Sequence, residues 1–331
     1  MLDALLKMTD DDRSALSSWG LGAVLSAVVP ATGTVNRTLI LRTEKGSFAL
    51  RISTRERARV VWEHAAIAWA AEHGIPACRP VPLPDASTIL ECSGAFYSLF
   101  PMAHGRQVQR AELDADHALA AGVCLARIHC AFAEFPCERA RAKRLAVDVT
   151  SVLASIPCIE AAIRALPTLT GTDRAALDQL AGRWNWLRGS HHRAKDIEVR
   201  LAALPQTVLH GDYQEANLFF SGGKVSAVID WDQSGRAARS WEVMRALHLM
   251  LVLEPTRCRG FMEGYRRVLP LPKDELREAA FCYGVLADSN LWVYEAAYRE
   301  GNERAKRFIA AGHFVPFEAQ WQAAGLDNLL L

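Results

Sequence analysis

The period of the apolar residues changes near residue 105, and this change constrains the fold more than any other feature of the chain. Residues 24–52 alternate in the manner of strands, through VLSAVV, RTLILRT and FALRI, with turn-like PATGTVN and EKGS between them. STILEC and AFYSLF bracket a Ser-Gly turn and predict two more antiparallel strands. Thr54 is predicted to cap a helix through RERARVVWEHAAIAWAAEH, which Gly74 and Pro76 end. The first hundred residues therefore predict five strands and one helix.

After Gly105, long helical patterns such as AELDADHALAAGVCLARIHCAF and DRAALDQLAGRWNWLR replace the strands. Within this mostly helical half, LFF, the two-glycine turn SGGK and VSAVID predict a β-hairpin over residues 218–230. The predicted fold class is therefore α+β, with a small antiparallel β lobe that carries one helix and a larger, mainly α lobe. Residues 1–103 are predicted to form the first lobe, with a hinge at its end, and residues 104–331 the second.

The composition excludes several classes of protein. Lys and Arg number 38 and Asp and Glu 37, so the formal net charge of +1 lacks the basic excess of a protein that coats nucleic acid. The eight cysteines form no CxxC pair and no zinc-type spacing, which indicates reduced core residues of a cytoplasmic protein. The apolar run Gly20–Ala31 is too short to cross a bilayer, so neither a signal peptide nor a membrane partner is expected.

The segment VLHGDYQEANLFFSGGKVSAVIDWD, residues 208–232, is the most informative for chemistry. Asp212 is followed five residues later by Asn217, and Asp230 ends the second strand of the predicted hairpin. Phosphoryl transfer from ATP needs a carboxylate to orient the attacking hydroxyl and accept its proton, and oxygen ligands to hold Mg²⁺ against the phosphates. Because the hairpin places Asn217 at the start of one strand and Asp230 at the end of its partner, their oxygens are expected to reach the same ion.

HGDYQEAN followed by VIDWD resembles the aminoglycoside phosphotransferase and choline kinase family, including its homoserine-kinase-type members. These are relatives of protein kinases with HGD where those have HRD. The likeness extends over most of the chain and implies a protein-kinase-like two-lobe fold that uses ATP and Mg²⁺. It implies that Asp212 is the catalytic base, that Asn217 and Asp230 are magnesium ligands, and that His210 is the buried support of the loop.

The resemblance also implies a nucleotide site in the first lobe. PATGTVNRT, residues 30–38, lies where the family carries its phosphate-covering loop, and Gly33 and Thr34 are expected to contact phosphate there. Arg51 lies where the family places a Lys or Arg that pairs the α and β phosphates, and Glu63 in the following helix is placed to hold it. The alternatives are a surface charge at a strand end for Arg51 and a solvated helix face for Glu63.

The stretch YSLFPMAHG, between the two predicted lobes, resembles the hinge that holds adenine through backbone groups in this family. The Pro101 carbonyl is expected to accept a hydrogen bond from adenine, and the Ala103 N–H is expected to donate one. Proline lacks an N–H but keeps its carbonyl acceptor, so the assignment is chemically consistent.

Beyond Asp230 the chain departs from the family pattern. The family shows an acidic residue within a G-x-P-x-x-D-like stretch, whereas this chain has GRAARSWEVMRAL, and Glu242 is expected to take that structural role. The sequence has no activation segment of the protein-kinase type and no APE motif. A small acceptor is therefore favoured over a protein.

The acceptor site is predicted on a helix through FCYGVLADSNLWVYEAAY, where Asp288, Trp292 and Glu295 fall at i, i+4 and i+7. A carboxylate beside an indole face suits an amine, although an amphipathic surface helix has the same spacing. Trp231 and Asp232, next to the predicted metal ligand, are further candidates for lining this site. From Asp232 onward the chain holds 13 acids and 13 Lys plus Arg, so no acidic cluster for a polycationic aminoglycoside is visible.

These observations predict an ATP-dependent O-phosphotransferase that moves the γ-phosphate to a hydroxyl of a small molecule. An amino alcohol such as homoserine, an antibiotic and a sugar all remain open as acceptors. Two alternative functions are a nucleotide-binding pseudokinase that works as an interaction module, and a protein kinase.

Overall fold

The computed structural model describes residues 8–30, 37–136 and 140–330. The chain divides into two compact units. Unit 1 comprises the chain up to Leu113 together with Cys124–Arg141 and Leu209–Gly235, and unit 2 comprises Asp114–Val123, Ala142–Val208 and Arg236–Leu331. No helix within the described ranges is both long and apolar enough to span a membrane.

An antiparallel sheet of five strands, counted over the described residues, forms most of the N-terminal part of unit 1. Its strands are β1 Val24–Val28, β2 Arg37–Thr43, β3 Gly46–Ser53, β4 Leu90–Cys92 and β5 Ala95–Pro101. Their spatial order is β1-β2-β3-β5-β4. One face of the sheet is apolar because alternate residues of β2, β3 and β5 are buried and mostly aliphatic, among them Leu39, Leu41, Leu50 and Leu99. The five predicted strands are confirmed.

Two helices accompany this sheet, α1 Asp10–Ser17 and α2 Arg57–Glu72. Helix α1 was not predicted from the sequence, although Thr9 and Asp12 form a capping box at its start. Helix α2 was predicted, but its N-cap is Glu56 and not Thr54. The difference arises because the Ser53 hydroxyl accepts a hydrogen bond from the backbone N–H of residue 55 at 3.2 Å, which adds a turn between β3 and the helix.

Several short strands lie within residues 208–232, next to them in sequence or paired with them. They are β6 Arg106–Gln107, β7 Gln206–Leu209, β8 Leu218–Ser221, β9 Lys224–Val228 and β10 Gly235–Ala238. Strands β8 and β9 form the predicted hairpin, in which Leu218 lies opposite Val228, and β6 pairs with β8 on its other side. Gly105, just before β6, has φ +98°, and a Cβ there would lie 2.6 Å from the Phe220 carbonyl oxygen. Only glycine therefore fits where the chain enters this sheet.

Helices make up most of unit 2. They are α3 Ala115–Ala133, whose C-terminal half belongs to unit 1, then α4 Val149–Arg164, α5 Gly171–Ser190, α6 Ile197–Ala202, α7 Arg239–Arg245, α8 Pro255–Val268, α9 Lys273–Asp288, α10 Trp292–Tyr298, α11 Phe317–Ala323 and α12 Leu326–Leu330. Helices α4 and α5 pack through buried Ile156, Ile159 and Leu180. The predicted α+β class, with strands first and helices afterwards, is confirmed.

Candidate active site

His210 holds the loop after β7 in place through two hydrogen bonds of its ring. Its ring is fully buried; Nε2 donates to the Ile229 carbonyl at 2.9 Å, and Nδ1 accepts the backbone N–H of Asp212 at 3.2 Å. These partners fix the neutral tautomer with the proton on Nε2, because a carbonyl can only accept and an N–H can only donate. The centroid of the His210 ring also lies 4.7 Å from that of Trp231. The loop that carries Asp212 is therefore tied to the chain that follows β9.

Two side-chain amides orient the carboxylate of Asp212. Gln214 Nε2 donates to its Oδ2 at 2.9 Å, and Asn217 Nδ2 donates to the same oxygen at 3.0 Å and to the Asp212 carbonyl at 2.8 Å. The two amides fix the direction in which the Asp212 carboxyl group points, and a positioned carboxyl oxygen is what a base acting on a hydroxyl requires.

The hairpin brings Asn217 beside the residues that precede Asp230. The Asn217 carbonyl accepts the Ile229 N–H at 3.0 Å, one residue before Asp230. Asp230 itself has φ +64°, a left-handed conformation that few residues other than glycine adopt. Such strain turns the chain sharply at the end of the hairpin, and strained backbone of this kind is concentrated at functional sites.

Asn217 and Asp230 provide the type of donor that Mg²⁺ prefers, since Mg²⁺ binds oxygen and usually combines one or two protein ligands with phosphate oxygens and water. Both hydrogen bonds made by the Asn217 side chain to described residues use its nitrogen, which leaves the amide oxygen for another partner. Side-chain oxygens of Asn217 and Asp230 therefore fit a magnesium site.

Arg51 is the cation of the site, and three carboxylates converge on it. Its Nη1 lies 2.5 Å from Glu63 Oε1, while Nη2 lies 3.1 Å from Asp230 Oδ1 and 3.4 Å from Asp232 Oδ2. The expected Arg51–Glu63 ion pair is thus present, and the alternative of a surface charge at a strand end is excluded because the Arg51 side chain is only 14% exposed. All the residues described so far in this site belong to unit 1.

Burial, with the crowding of carboxylates, raises the pKa values of Glu63 and Asp230. Burial, together with the charges of Asp232 and Asp230, raises the pKa of Glu63 to about 7, and Arg51 opposes the shift. Asp230 is 42% exposed along its side chain, yet packed atoms desolvate its carboxyl group and raise its pKa, against the opposing charge of Arg51. Negative charge is thus concentrated where an added cation would be stabilised.

Of the other residues predicted to bind the nucleotide, two lie outside the described residues and two lie within them. Gly33 and Thr34 lie outside the described residues. Pro101 is the last residue of β5, where it lies opposite Phe48 of β3, and Ala103 follows two residues later. The roles predicted for the Pro101 carbonyl and the Ala103 N–H stay predictions.

Trp231 and Asp232 were predicted to line the acceptor site. The Trp231 side chain is fully buried, donates from Nε1 to the Val228 carbonyl at 3.3 Å and packs against His210 and Phe132. Asp232 is also buried and is held between Arg51 and Arg55, with 3.1 Å to Arg55 Nη2. Both side chains therefore face protein groups, and their role in acceptor binding stays a prediction.

The helix predicted to carry Asp288, Trp292 and Glu295 is broken. Helix α9 ends at Asp288 and α10 begins at Trp292, where Asn290 Oδ1 accepts the Trp292 N–H at 2.9 Å. The expectation of one continuous helix face is therefore wrong, because the Asn290 side chain competes for the backbone and starts a new helix.

The three side chains also differ in environment. Asp288 is buried and accepts hydrogen bonds from Trp186 Nε1 at 3.0 Å and from the Phe317 N–H at 2.9 Å. It lines a cavity of about 210 Å³ within unit 2. Trp292 is 45% exposed, and Glu295 lies 3.9 Å from Arg299. Their role in acceptor binding stays a prediction.

Sequence reasoning missed two residues that the structure places at the site. The sequence analysis did not single out Gln214, although it lies only two residues after Asp212 and its amide can therefore donate to that carboxylate. Arg55 lies four residues after Arg51 at the end of the strand, and its partner Asp232 is distant in sequence, so no local pattern indicated the pair.

Comparison with known proteins identifies the family of this chain. The model of the phosphotransferase enzyme family matches residues 27–279. A homoserine kinase of Bradyrhizobium diazoefficiens is 30% identical over 284 residues, which cover 82% of this chain and 78% of that protein. The chain belongs to the phosphotransferase enzyme family. A homoserine kinase of Caulobacter vibrioides is 29% identical over 276 residues and 80% of each chain, so the phosphotransferase likeness spans most of both proteins.

Solved structures show the same fold. A spectinomycin phosphotransferase in complex with ADP and spectinomycin superposes with a TM-score of 0.66 at 15% identity, covering 96% of this chain and 97% of that one. An aminoglycoside phosphotransferase from Alicyclobacillus acidocaldarius gives a TM-score of 0.62 at 15% identity. The predicted protein-kinase-like fold is confirmed. This phosphotransferase is a small-molecule kinase that uses ATP and acts on hydroxyl groups.

Proposed function

We propose that this kinase moves the γ-phosphate of ATP onto the side-chain hydroxyl of a small amino acid, with homoserine as the leading acceptor. The observation that carries the proposal is the carboxylate of Asp212, oriented by two amide N–H groups at 2.9 and 3.0 Å. In an in-line transfer this carboxylate orients the acceptor hydroxyl and takes its proton, while the γ-phosphoryl group passes to the oxygen and ADP leaves.

The other residues of the site hold the nucleotide. Asn217 and Asp230 would bind Mg²⁺, which neutralises charge on the phosphates when it is bound. Arg51 would contact the α and β phosphates, with Glu63 fixing its guanidinium at 2.5 Å. Arginine suits this position because it stays charged when buried and presents several donors in a fixed plane.

The remaining nucleotide contacts rest on the resemblance in sequence. They are the Pro101 carbonyl and the Ala103 N–H for adenine, and Gly33 and Thr34 for phosphate.

Homoserine is favoured as acceptor by relatives that match this chain in sequence. Eight relatives, 26 to 30% identical to this chain, are homoserine kinases. Among the solved structures, an amicoumacin kinase is 16% identical and the spectinomycin phosphotransferase 15%, a level that supports a common fold and not a common substrate. A hydroxylated amino acid also matches the balanced charge of the chain better than a polycation does.

Acceptor-dependent ADP release tests the proposal. Homoserine, serine, other amino alcohols, sugars and aminoglycosides are each supplied with Mg²⁺ and ATP, and homoserine is expected to give the highest kcat/KM. Asp212→Ala should lower turnover by at least roughly 10²-fold with ATP affinity retained, because the carboxylate faces the hydroxyl and not the nucleotide. Gln214→Ala, which removes one of the two amide donors, is the control and should cost less.

Three results would contradict this proposal. Higher kcat/KM with an antibiotic or a sugar would change the acceptor class. ATP binding with no acceptor-dependent ADP release for any compound would favour the pseudokinase. Labelled phosphate appearing on protein would favour the protein kinase.

A further inference from the structure

An ion pair holds the loop that carries Asp212 between the two residues that orient its carboxyl group. Arg110 donates from Nε to Oε1 of Glu215 at 2.8 Å, and its Nη2 lies 2.7 Å from the same oxygen. Glu215 directly follows Gln214 and begins a 3₁₀ turn that ends at Asn217. Gln214 and Asn217 are the residues whose amides donate to the Asp212 carboxyl group. The residue held by Arg110 therefore lies within the short stretch that sets the direction of this group.

The carboxyl group of Glu215 has little access to water. Its side chain is only 12% exposed. Its second oxygen, Oε2, is buried and has no hydrogen-bond partner among the described residues. A carboxylate in such a place is destabilised strongly when a cation that pairs with it is removed. Loss of the Arg110 guanidinium should therefore move Glu215 towards solvent and displace the turn that it begins.

The segment that carries Arg110 is fixed to the same loop at two further points. Gln107 of β6 donates from Nε2 to the Ala216 carbonyl at 2.5 Å. Its backbone lies opposite Phe219 of β8, the strand that follows the 3₁₀ turn. Arg110 comes three residues after β6 ends, and all these residues belong to unit 1. Because the segment is already held there, little conformational freedom is lost when the ion pair forms.

We propose that Arg110 is a positioning residue for catalysis, which holds Asp212 in its productive orientation through Glu215 and the two amides on either side of it. The inference rests on the proposed role of Asp212 as the base of the transfer. A displaced carboxyl oxygen no longer meets the acceptor hydroxyl at hydrogen-bond distance, and small displacements of a catalytic group lower turnover strongly.

Steady-state kinetics of the full chain test the inference, with Mg²⁺, ATP and homoserine, or with whichever compound of the acceptor screen gives the highest kcat/KM. Arg110→Gln should lower kcat by roughly tenfold, at the lower end for a charge-assisted contact because the Arg110 side chain is 45% exposed. Arg106→Gln is the matched control. Arg106 lies in the same segment, and its ion pair with Glu112, at 3.6 Å, joins two exposed side chains. This control should change kcat by less than about twofold.

Two double variants separate positioning from a general loss of structure. Arg110→Gln combined with Glu215→Gln leaves no unpaired carboxylate, so kcat should recover to within about threefold of the wild-type value. Arg110→Gln added to Asp212→Ala should not lower the residual turnover further, because no carboxyl group is left to position. A general loss of structure would instead lower turnover by the same factor with and without Asp212.

Three outcomes would overturn the inference. They are a loss of kcat in Arg110→Gln no larger than in Arg106→Gln, no recovery on adding Glu215→Gln, and an equal further loss in the Asp212→Ala background. None of these affects the proposed function, which fails separately if Asp212→Ala keeps near-normal turnover. If Arg110→Gln does not fold, Arg110→Lys replaces it. One ammonium cannot reproduce two guanidinium donors, so kcat should fall by about threefold, and an unchanged kcat would contradict the inference.

Discussion

At the scale of single residues, the choice of arginine at position 51 has a geometric consequence. The two terminal nitrogens of Arg51 face different partners, with Nη1 on Glu63 of α2 and Nη2 on Asp230 and Asp232 after β9. One planar group therefore joins the sheet, the helix and the proposed metal-binding segment. A lysine has one ammonium on a flexible stem and lacks this divided geometry.

Arg51→Lys is therefore expected to weaken ATP binding even though the charge is kept. Losing one charge-assisted contact corresponds to roughly a tenfold increase in the Kd for Mg²⁺-ATP, with a smaller change in kcat. Isothermal calorimetry with a non-hydrolysable ATP analogue measures the affinity. An unchanged Kd would mean that charge alone is needed at this position.

The site could be predicted from sequence where its geometry is local. Asp212 and Asn217 were both selected from one short motif, and the structure joins their side chains at 3.0 Å. Arg51 and Glu63 could be paired because a strand leads directly into a helix. The contact of Asp232 with Arg55 could not, since it depends on how the chain after β9 folds back onto the start of α2.

At the scale of elements, the catalytic loop depends on Gly211. Its φ is +86°, and a Cβ at this position would lie 2.0 Å from the Gln233 carbonyl oxygen. The glycine of the HGD motif therefore allows the loop to pass directly against the chain that follows Asp230. Both a left-handed backbone and the absence of a side chain are required there.

Gly211→Ala should therefore damage the loop far more than a similar change at an open glycine. Gly222, in the β8–β9 turn, has φ +56°, and no atom lies within 4 Å of the position that an alanine Cβ would take, so Gly222→Ala bears only the backbone cost of about 1 kcal/mol. Gly211→Ala should cost at least about 3 kcal/mol or abolish activity through displacement of Asp212. Urea unfolding and kcat measure the two effects. Equal losses of stability and of kcat in the two variants would show that the loop accommodates a side chain at position 211.

The break between α9 and α10 shows why periodicity alone was misleading. Apolar residues continue through the break with helical spacing, so the pattern predicted one helix. The local signal was the pair Ser289 and Asn290, whose side chains favour turns and caps over helix interiors. The break leaves Asp288 at the end of α9, where its carboxylate contacts α5 and the start of α11.

The pH dependence of stability should report on Asp288. Burial raises the pKa of this carboxyl to about 6, so between about pH 4 and 6 the folded state binds more protons than the unfolded state. The contribution of the Asp288 carboxyl group to the free energy of unfolding therefore falls as pH rises through that range, by on the order of 2 to 3 kcal/mol.

Asp288→Asn is the matched variant because it cannot titrate there. The Asp288 carboxyl group accepts from two N–H donors, those of Trp186 and Phe317, through its two oxygens. An asparagine has only one oxygen, so its amide nitrogen faces one of these donors and the variant should be less stable than wild type at pH 4.5. The difference in unfolding free energy between the two proteins should narrow towards pH 7, and urea unfolding at both pH values measures it. A constant difference would mean that Asp288 is ionised throughout.

At the scale of the whole molecule, the compact units do not follow the order of the chain. Unit 1 includes Cys124–Arg141 and Leu209–Gly235 as well as the N-terminal strands. The predicted boundary at residues 103 and 104 rests on the change from strands to helices, and it stays a prediction. Sequence reasoning gives elements and their order, but the return of distant segments to one core depends on packing that no local pattern encodes.

Helix α2 illustrates this dependence within unit 1. Trp62 Nε1 donates to the Ser234 carbonyl at 3.0 Å, and Trp69 Nε1 donates to the Ala131 carbonyl at 2.8 Å. Both indole rings also meet Phe135 edge to face, at 5.6 and 5.0 Å. These hydrogen-bond acceptors and Phe135 lie outside the first 113 residues, whereas His73, which stacks on Trp69 with ring centroids 4.3 Å apart, lies within them. Aromatic side chains of this size contribute strongly to a core.

A fragment of residues 1–113 is therefore expected not to fold on its own. It keeps the five strands and α2, but it lacks Ala131, Phe135 and Ser234, so the two tryptophans lose their hydrogen-bond acceptors and the phenylalanine that both rings contact. Arg51 would keep Glu63 but lose both aspartates. Truncating large core contacts costs about 3 to 5 kcal/mol each, comparable to the whole stability of a domain of this size. Near-ultraviolet circular dichroism and thermal unfolding of the fragment and the full chain measure the outcome, and a cooperative transition with native-like tryptophan signals in the fragment would show that the strands and α2 suffice.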